Sequence, residues 1–269
     1  MRPATVAALR GQVAIVTGGA SGIGRATALA LAKVGVQVVV VDITQDRIDT
    51  VLAEIHAEDG IAQGLCLDIS SEADMSRLAG LVMDRFQRID ILIACAGIIR
   101  PRGTSPTAVA NLPADQWDRV IAINLRGTFL SNRAVLGHMM QNRRGQIINV
   151  SSVFGQQGRA FDNAYCASKA GIIGLTEALV EEVGRHGVRV HALLPDSVDT
   201  PIWEQNPIPR AVAALPPERV AEFIVYILCM PGDSLLVNPV IAPFSSRRRG
   251  GVGRREQGAA KLDSAEPVA

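Results

Sequence analysis

Cysteine and histidine are sparse in this sequence of 269 residues, with four of each. Cys66, Cys95, Cys166 and Cys229 lie far apart without a Cys-x-x-Cys pair, and the histidines do not cluster. This spacing indicates neither a disulfide framework nor a zinc site, so we expect no bound metal. Scattered thiols are typical of a reducing compartment, which predicts a cytoplasmic location. A cysteine nucleophile at Cys95 or Cys166 is the alternative, although such cysteines are more often core residues.

Long apolar segments and an excess of one charge sign are also missing. The most apolar run, residues 34–41, is interrupted by Gly35 and Gln37 and is far too short to span a bilayer. No signal-peptide pattern precedes Gly11. The formal net charge is +1, which gives no reason to expect nucleic acid as the main partner. We therefore expect a soluble protein with neither a nucleic-acid nor a membrane partner.

Apolar runs typical of strands alternate with runs typical of helices along most of the chain. This alternation predicts an α/β fold with a doubly wound parallel sheet. We expect one domain over residues 11–243, after a flexible leader (1–10) and before a basic tail (244–269) too poor in apolar residues to fold. The predicted strands are 13–16, 37–41, 61–67, 90–94, 146–150, 188–194 and 235–241, and the predicted helices are 25–34, 45–57, 72–86, 114–140, 164–179 and 217–229.

A glycine-rich turn joins the first predicted strand to the first predicted helix. It reads Thr-Gly-Gly-Ala-Ser-Gly-Ile-Gly over residues 17–24. Glycines let the backbone approach a phosphate closely, and the first turn of a helix offers free N–H groups and the positive end of its dipole. The turn therefore predicts a diphosphate site, although a glycine-rich match alone can be a simple tight turn.

The second predicted strand is followed by Asp42. A carboxylate at this position can accept hydrogen bonds from the ribose diol of an adenosine and would repel a 2′-phosphate, which favours NAD over NADP. The alternatives are a helix N-cap and a solvated loop carboxylate.

Tyr165 and Lys169 lie four positions apart in a predicted helix, so both side chains project from one face. A nearby cation stabilises a phenolate and lowers its pKa from about 10, which would let Tyr165 exchange protons near neutral pH. Ser152 follows a predicted strand, and its hydroxyl could join that of Tyr165 on one substrate oxygen. Taken alone, a Tyr-x-x-x-Lys pair is more often a helix-surface pair.

With these motifs the chain resembles the short-chain dehydrogenase/reductase family over roughly residues 10–243. The resemblance implies a Rossmann fold with seven parallel strands, a nicotinamide dinucleotide cofactor, and a homodimer or homotetramer that pairs the helices of Asn124 and Tyr165. The matching residues, in chain order, are Thr17-Gly18-x-x-x-Gly22-x-Gly24, Asp42, Asp68, Ala96-Gly97, Asn124, Ser152, Tyr165-x-x-x-Lys169 and Pro195-x-x-Val198-x-Thr200.

The resemblance also implies a catalytic tetrad of Asn124, Ser152, Tyr165 and Lys169. Tyr165 would exchange the proton, Ser152 would position the substrate oxygen, Lys169 would bond the nicotinamide ribose and lower the Tyr165 pKa, and Asn124 would hold a water. Asp68 would lie beside the adenine. The implied cofactor-binding residues are Gly18, Ser21, Gly22, Ile23, Gly24, Asp42, Ile43, Asp68, Ile69, Ala96, Gly97, Tyr165, Lys169, Pro195, Val198 and Thr200.

Three positions depart from the family pattern. Ala94-Cys95 stands where two asparagines are usual, His191 where asparagine is usual, and Asp196 where glycine is usual. We expect these residues to touch the nicotinamide site.

The expected function is an NAD-dependent oxidoreductase that interconverts a secondary alcohol and a ketone. A dinucleotide-binding sensor or scaffold without turnover is the alternative. The proline-rich segment 195–217 is expected to cover a pocket. Four residues are expected to line that pocket and to favour a largely apolar substrate, namely Ile98, Val153, Phe154 and Trp203.

Overall fold

A computed structural model describes residues 6–205 and 214–244 of the protein. Within them, the strands are β1 (Val13–Thr17), β2 (Gln37–Asp42), β3 (Ala62–Cys66), β4 (Ile91–Ala94), β5 (Gly145–Val150), β6 (Val188–Pro195) and β7 (Val240–Ile241). They pair in parallel in the order β3-β2-β1-β4-β5-β6-β7. The predicted parallel α/β sheet is therefore confirmed.

Helices cover both faces of the sheet. They are α1 (Gly22–Lys33), α2 (Gln45–Ala57), α3 (Glu72–Phe86), α4 (Ala114–Ile121), α5 (Gly127–Gln141), α6 (Asn163–Val183) and α7 (Pro217–Leu228). Short 3-10 helices lie at Val109–Asn111, Val153–Gly155, Gly184–His186 and Pro201–Gln205. None of the helices in the described part of the chain is long and apolar enough to cross a membrane.

The alternation of side chains along each strand divides the core into two halves. Ala14 and Val16 of β1 pack with α1, α2 and α7. Val13 and Ile15 pack on the opposite face with α3, α5 and α6. All of β1 is buried, as expected for a strand covered on both faces. The result is a three-layer molecule with the sheet as its middle layer.

The chain order reverses beside β1, whose neighbours are β2 on one side and β4 on the other. In doubly wound sheets such a reversal opens a crevice at the carboxyl ends of the strands, where ligands bind. The glycine-rich turn leaves β1 at this crevice, so the topology brings it close to the ends of β2, β4 and β5.

The segment predicted as one helix, 114–140, is interrupted. A π-helical stretch, Ala122–Arg126, separates α4 from α5 and contains Asn124. Such insertions are rare and occur mostly as single turns at functional sites. Helical periodicity in a sequence gives no signal for one extra residue in a turn, so the prediction of a regular helix was wrong here.

The last strand is shorter than predicted. Only Val240–Ile241 forms β7, against a prediction of 235–241. Asn238 has a left-handed backbone with φ +47°, and Pro239 has no N–H to donate to a ladder. Pro239 instead accepts a hydrogen bond from the backbone N–H of Leu194 at 2.9 Å.

The leader is only partly as predicted. Leu9 is buried in the core, and the Gln12 side chain donates to the Ala8 carbonyl at 2.9 Å. Residues 6–10 are therefore packed rather than flexible. Residues 1–5, Pro207 and Pro209 of the covering segment, and residues 245–269 of the basic tail lie outside the described residues.

Candidate active site

A cavity of about 710 Å³ opens at the carboxyl ends of the central strands. The glycine-rich turn, the end of β2, the segment after β4 and the start of α6 all contribute to its wall. Of the residues predicted to bind cofactor or substrate, those that line it are Gly18, Ser21, Gly22, Ile23, Asp42, Ile43, Asp68, Ile69, Ala96, Gly97, Ser152, Tyr165, Lys169, Pro195, Val198 and Thr200.

The glycine-rich turn is packed so tightly that side chains would not fit. Gly18 and Gly22 have positive φ values of +65° and +51°. A Cβ on Gly18 would lie 2.7 Å from the Ala96 Cα. Ser21, the N-cap of α1, makes no side-chain capping bond, and the first turn of α1 contains no acidic residue. The positive end of this helix therefore faces the cavity without an acidic residue in its own first turn, which fits a diphosphate.

Gly24 lies behind the turn and does not line the cavity. A Cβ there would lie 2.1 Å from the Gly18 carbonyl oxygen, so the first turn of α1 touches the glycine turn directly. Its role is close packing of helix against turn, rather than the direct cofactor contact that the resemblance implies.

Replacing Gly24 with alanine is therefore expected to displace the turn, to weaken NADH binding at least about tenfold and to destabilise the fold by about 1–3 kcal/mol. Gly80→Ala is the matched control, because a Cβ on Gly80 in α3 meets nothing within 4 Å. NADH fluorescence titration and urea unfolding of both variants measure the effects. If Gly24→Ala bound NADH as tightly as Gly80→Ala, the close contact between Gly24 and Gly18 would be unimportant for cofactor binding.

Asp42 ties the end of β2 to the glycine-rich turn. One carboxylate oxygen accepts from the N–H groups of Ile43 at 2.8 Å and Thr44 at 3.3 Å. The other accepts from Ala20 N–H at 3.3 Å. The N-cap of α2 is Thr44 rather than Asp42. The carboxylate is thus held at the cavity edge with acceptor positions left for a diol.

Asp68 lies at the same edge, after β3. It accepts from the backbone N–H and the hydroxyl of Ser70 at 2.8 and 2.7 Å. The guanidinium of Arg119 lies 3.9 Å from its second oxygen. These contacts fix the orientation of the carboxylate in the cavity wall.

Ser152, Tyr165 and Lys169 meet on the other side of β4. The side chains of Tyr165 and Ser152 both line the cavity, and the Ser152 hydroxyl acts to lower the pKa of Tyr165. The Ser152 hydroxyl also accepts from Phe154 N–H at 3.2 Å. Lys169 Nζ lies 5.6 Å from the centre of the Tyr165 ring and donates to the Val150 carbonyl at 2.8 Å. The two hydroxyls are therefore together, with a cation beneath them.

The pKa values of this group are governed by burial. Burial raises the pKa of Tyr165 to about 12, against the lowering effect of the Ser152 hydroxyl. Burial lowers the pKa of Lys169 to about 8. The prediction that Lys169 brings the Tyr165 pKa below its ordinary value is wrong for the protein alone, because burial outweighs the effects that lower this pKa.

Asn124 lies behind the cavity wall, fully buried. Its side-chain oxygen accepts from Ile98 N–H, and its amide donates to the Ile98 carbonyl, both at 2.8 Å. The same amide donates to the Ser168 hydroxyl at 3.0 Å. The amide thus joins the segment after β4 to α6, and the role of holding a water that the resemblance implies stays a prediction.

The residues that depart from the family pattern have local explanations. Cys95 N–H is 3.2 Å from the Thr17 hydroxyl, which braces the end of β4. Burial raises the pKa of the Cys95 thiol to about 11, which argues against a cysteine nucleophile. Asp196 lines the cavity as expected. His191 does not, because it is buried in β6 with its ring 3.3 Å from the Leu236 carbonyl.

Three of the four expected pocket-lining residues, Ile98, Phe154 and Trp203, do line the cavity. Val153 is buried in its 3-10 helix and does not. Pro201 and Trp203 bring the described part of the covering segment to the cavity. Within residues 6–205 and 214–244, no three acidic, cysteine or histidine side chains are grouped to hold a metal ion.

Arg159 and Asp162 are cavity residues that the sequence analysis missed. Arg159 Nε lies 3.2 Å from a carboxylate oxygen of Asp162, and buried Arg100 bonds the other oxygen. These partners come from the loop after β4 and the loop before α6. The sequence offers only two charged residues shortly before Tyr165 as a signal, which is too little to identify them.

Comparison with known proteins identifies the family of the chain. A family model described as short chain dehydrogenase matches residues 12–209. The 3-oxoacyl-(acyl-carrier-protein) reductase of Thermotoga maritima is 33% identical over 228 residues, covering 81% of this chain and 91% of that protein.

Two solved structures are similar over the same region. A metagenomic short-chain oxidoreductase in complex with NADP has a TM-score of 0.76 and 31% identity, covering 87% of this chain and 98% of that one. The 3-ketoacyl-(acyl-carrier-protein) reductase from Brucella melitensis, complexed with NADH, has a TM-score of 0.78 and 30% identity, with coverage of 87% and 98%.

Proposed function

The chain belongs to the short-chain dehydrogenase family, and we propose that it is an NAD-dependent oxidoreductase that interconverts a ketone and a secondary alcohol. The proposal is carried by a single cavity lined both by the glycine-rich turn with Asp42 and by Ser152 with Tyr165. Strand order puts three strand spacings, about 14 Å, between the ends of β2 and β5. This separation suits a molecule with two distant binding groups, as a dinucleotide has.

The residues of the cavity fit such a cofactor. The glycine cradle and the free end of α1 would hold its diphosphate, Asp42 its adenosine ribose and Asp68 its adenine. Gly97 leaves room near Lys169, since a Cβ there would lie 3.5 Å from the Lys169 ammonium. Pro195, Val198 and Thr200 would border the nicotinamide. When bound, the nicotinamide supplies or accepts the hydride.

In this mechanism Tyr165 and Ser152 bind the substrate oxygen together. With a pKa of about 12, Tyr165 carries its proton at neutral pH and can donate it to the oxygen of a carbonyl as that oxygen gains negative charge. Ser152 orients the same oxygen. Lys169 supplies a buried positive charge beneath the phenol. Protonated Tyr165 is the form that can donate a proton to a ketone oxygen during reduction.

A substrate panel tests this function. Purified protein with NADH is offered aliphatic, cyclic and aromatic ketones and oxo acids, and loss of NADH absorbance is recorded. Turnover of at least one carbonyl is expected. Tight NADH binding without turnover of any compound would favour the alternative of a non-catalytic sensor or scaffold.

The charge of Lys169 predicts a pH dependence. Because burial lowers its pKa to about 8, the amine is a cation below pH 8 and neutral above it. If the cation is required, kcat/KM for ketone reduction falls by up to about tenfold per pH unit above pH 8. Tyr165 keeps its proton over this range.

Lys169→Arg is the control for this assignment, since a guanidinium keeps its charge throughout this range. The variant is expected to be less active but to lose the transition near pH 8. A wild-type profile that stays flat well above pH 8 would contradict the requirement for the cation.

Preference for NAD over NADP is proposed on the basis of Asp42. Arg47 lines the same part of the cavity and is a cation that a 2′-phosphate could use instead. Assembly into a homodimer or homotetramer, and a cytoplasmic location, stay predictions.

A further inference from the structure

A guanidinium lies between two aromatic rings in the wall of the cavity. The Arg159 Cζ atom is 5.2 Å from the centre of the Phe154 ring and 5.1 Å from the centre of the Trp203 ring. Phe154 belongs to the turn after β5 and Trp203 to the 3-10 helix after β6. The faces of both rings attract the cation and hold it in the cavity wall, while its N–H groups can still form hydrogen bonds.

Those N–H groups are little used by the protein. Asp162 lies 3.2 Å from Arg159 Nε, yet that carboxylate oxygen has no hydrogen-bond partner among the described residues. Arg100 bonds the other oxygen. Asp162 is therefore shared by two arginines, and no residue in 6–205 or 214–244 accepts a hydrogen bond from the Arg159 guanidinium. The Arg159 side chain is 21% exposed, and it lines the cavity.

Arg159 is also close to the proposed reacting group. Burial dominates the pKa of Tyr165, and the positive charge of Arg159 acts on the same phenol to lower it. Tyr165, Ser152 and Arg159 line one cavity. A small molecule with its carbonyl oxygen at Tyr165 could therefore reach the Arg159 guanidinium with a second group.

We propose that Arg159 binds a carboxylate of the substrate, so that the protein acts on short oxo acids or the corresponding hydroxy acids. This inference rests on the proposed function. The planar guanidinium of an arginine can bind a carboxylate through two parallel hydrogen bonds. The reacting carbon of the substrate then lies only a few bonds from its carboxylate.

The charges around Arg159 limit this substrate class further. Asp196 and Glu204 line the same cavity, and both would repel a second anionic group. A monocarboxylate therefore suits the site better than a dicarboxylate. Ile98, Phe154 and Trp203 offer apolar contacts for the remainder of the molecule, so an apolar or aromatic substituent is compatible with the acid group.

The test compares acids with their methyl esters. Wild-type protein with NADH is assayed on 3-oxobutanoate and 3-oxo-3-phenylpropanoate, on the methyl ester of each, and on the N-acetylcysteamine thioester of 3-oxobutanoate. We expect kcat/KM for at least one acid to exceed that for its ester by about 30-fold or more, the effect of a charge-assisted hydrogen bond.

Arg159→Met is expected to remove this preference. It should lower kcat/KM for the acid about 30-fold or more and change that for the ester by less than about threefold, with NADH affinity unchanged. Arg159→Lys keeps the positive charge and loses the planar guanidinium. Its kcat/KM for the acid should lie between those of the wild type and of Arg159→Met. Arg85→Met is the matched control, because Arg85 also lies over a ring, that of Phe86 at 5.3 Å, and does not line the cavity.

Each outcome decides between the two proposals. Equal or better turnover of the esters or the thioester, or equal loss on acid and ester in Arg159→Met, would overturn the carboxylate site while leaving the oxidoreductase in place. If neither these compounds nor any ketone of the substrate panel is turned over, the proposed function fails. The NADH-loaded protein is then titrated with 3-phenylpropanoate and its methyl ester. Preference for the acid that Arg159→Met abolishes would support the carboxylate site, and no preference would overturn it.

Discussion

Tyr165→Phe is expected to lower kcat for ketone reduction by about 10²–10⁴-fold, the range for loss of a positioned acid. The substitution removes one oxygen, which in the native protein lies beside Ser152 and carries the proton that the substrate oxygen would receive. NADH affinity should stay within about threefold of wild type, because the glycine-rich turn and Asp42 are untouched. Steady-state kinetics and fluorescence titration measure the two quantities separately.

The chain offers a matched control, since it contains two tyrosines. Tyr226 in α7 is 49% exposed and stacks on Phe223. Tyr226→Phe removes the same atom from the surface and should leave kcat unchanged. If Tyr165→Phe retained activity close to that of Tyr226→Phe, proton transfer would have to be assigned to another group.

Wild-type protein is expected to bind NADH more tightly than NADPH, and Asp42→Asn should shift the ratio of the two dissociation constants by about 100-fold toward NADPH. The estimate follows from two unit charges of like sign a few ångströms apart near a protein surface, about 2–4 kcal/mol. Asparagine keeps an acceptor for the N–H of Ile43, which Asp42 bonds at 2.8 Å. The change therefore tests charge rather than local folding.

Asp68→Asn is the control for cofactor selectivity. It also removes a carboxylate from the cavity wall, but from the position implied for adenine, so both affinities should change by a similar factor. A wild-type protein that binds NADPH as tightly as NADH would contradict the role of Asp42 and would direct attention to Arg47 as the partner of a 2′-phosphate.

The parts of the fold and site that sequence analysis predicts are those set by local spacing. The glycine-rich turn follows directly from the glycines between an apolar strand and a helix. Tyr165 and Lys169 share a helix face because helical geometry requires it. The parallel sheet follows from alternation of elements, and its strand ends then collect Asp42, Asp68 and Ser152 at one edge without any further information.

The parts that could not be predicted depend on contacts between distant segments. The π-helical turn contains Asn124, whose side chain bonds the backbone of Ile98. The spacing of apolar residues along the sequence does not indicate that contact. The pKa of Tyr165 depends chiefly on burial. Arg100, Arg159 and Asp162 come together from two separate loops. Buried Leu9 shows the same limit, since the apolar patch of residues 6–9 is too short to give a periodic signal.

A crystal structure of the protein with bound NAD tests the central claim most directly. The account predicts the diphosphate at the glycine-rich turn, the adenosine ribose hydroxyls bonded to Asp42, and the nicotinamide ring beside the oxygens of Tyr165 and Ser152. A dinucleotide bound in the reverse direction, or one whose nicotinamide ring lies away from Tyr165, would contradict it.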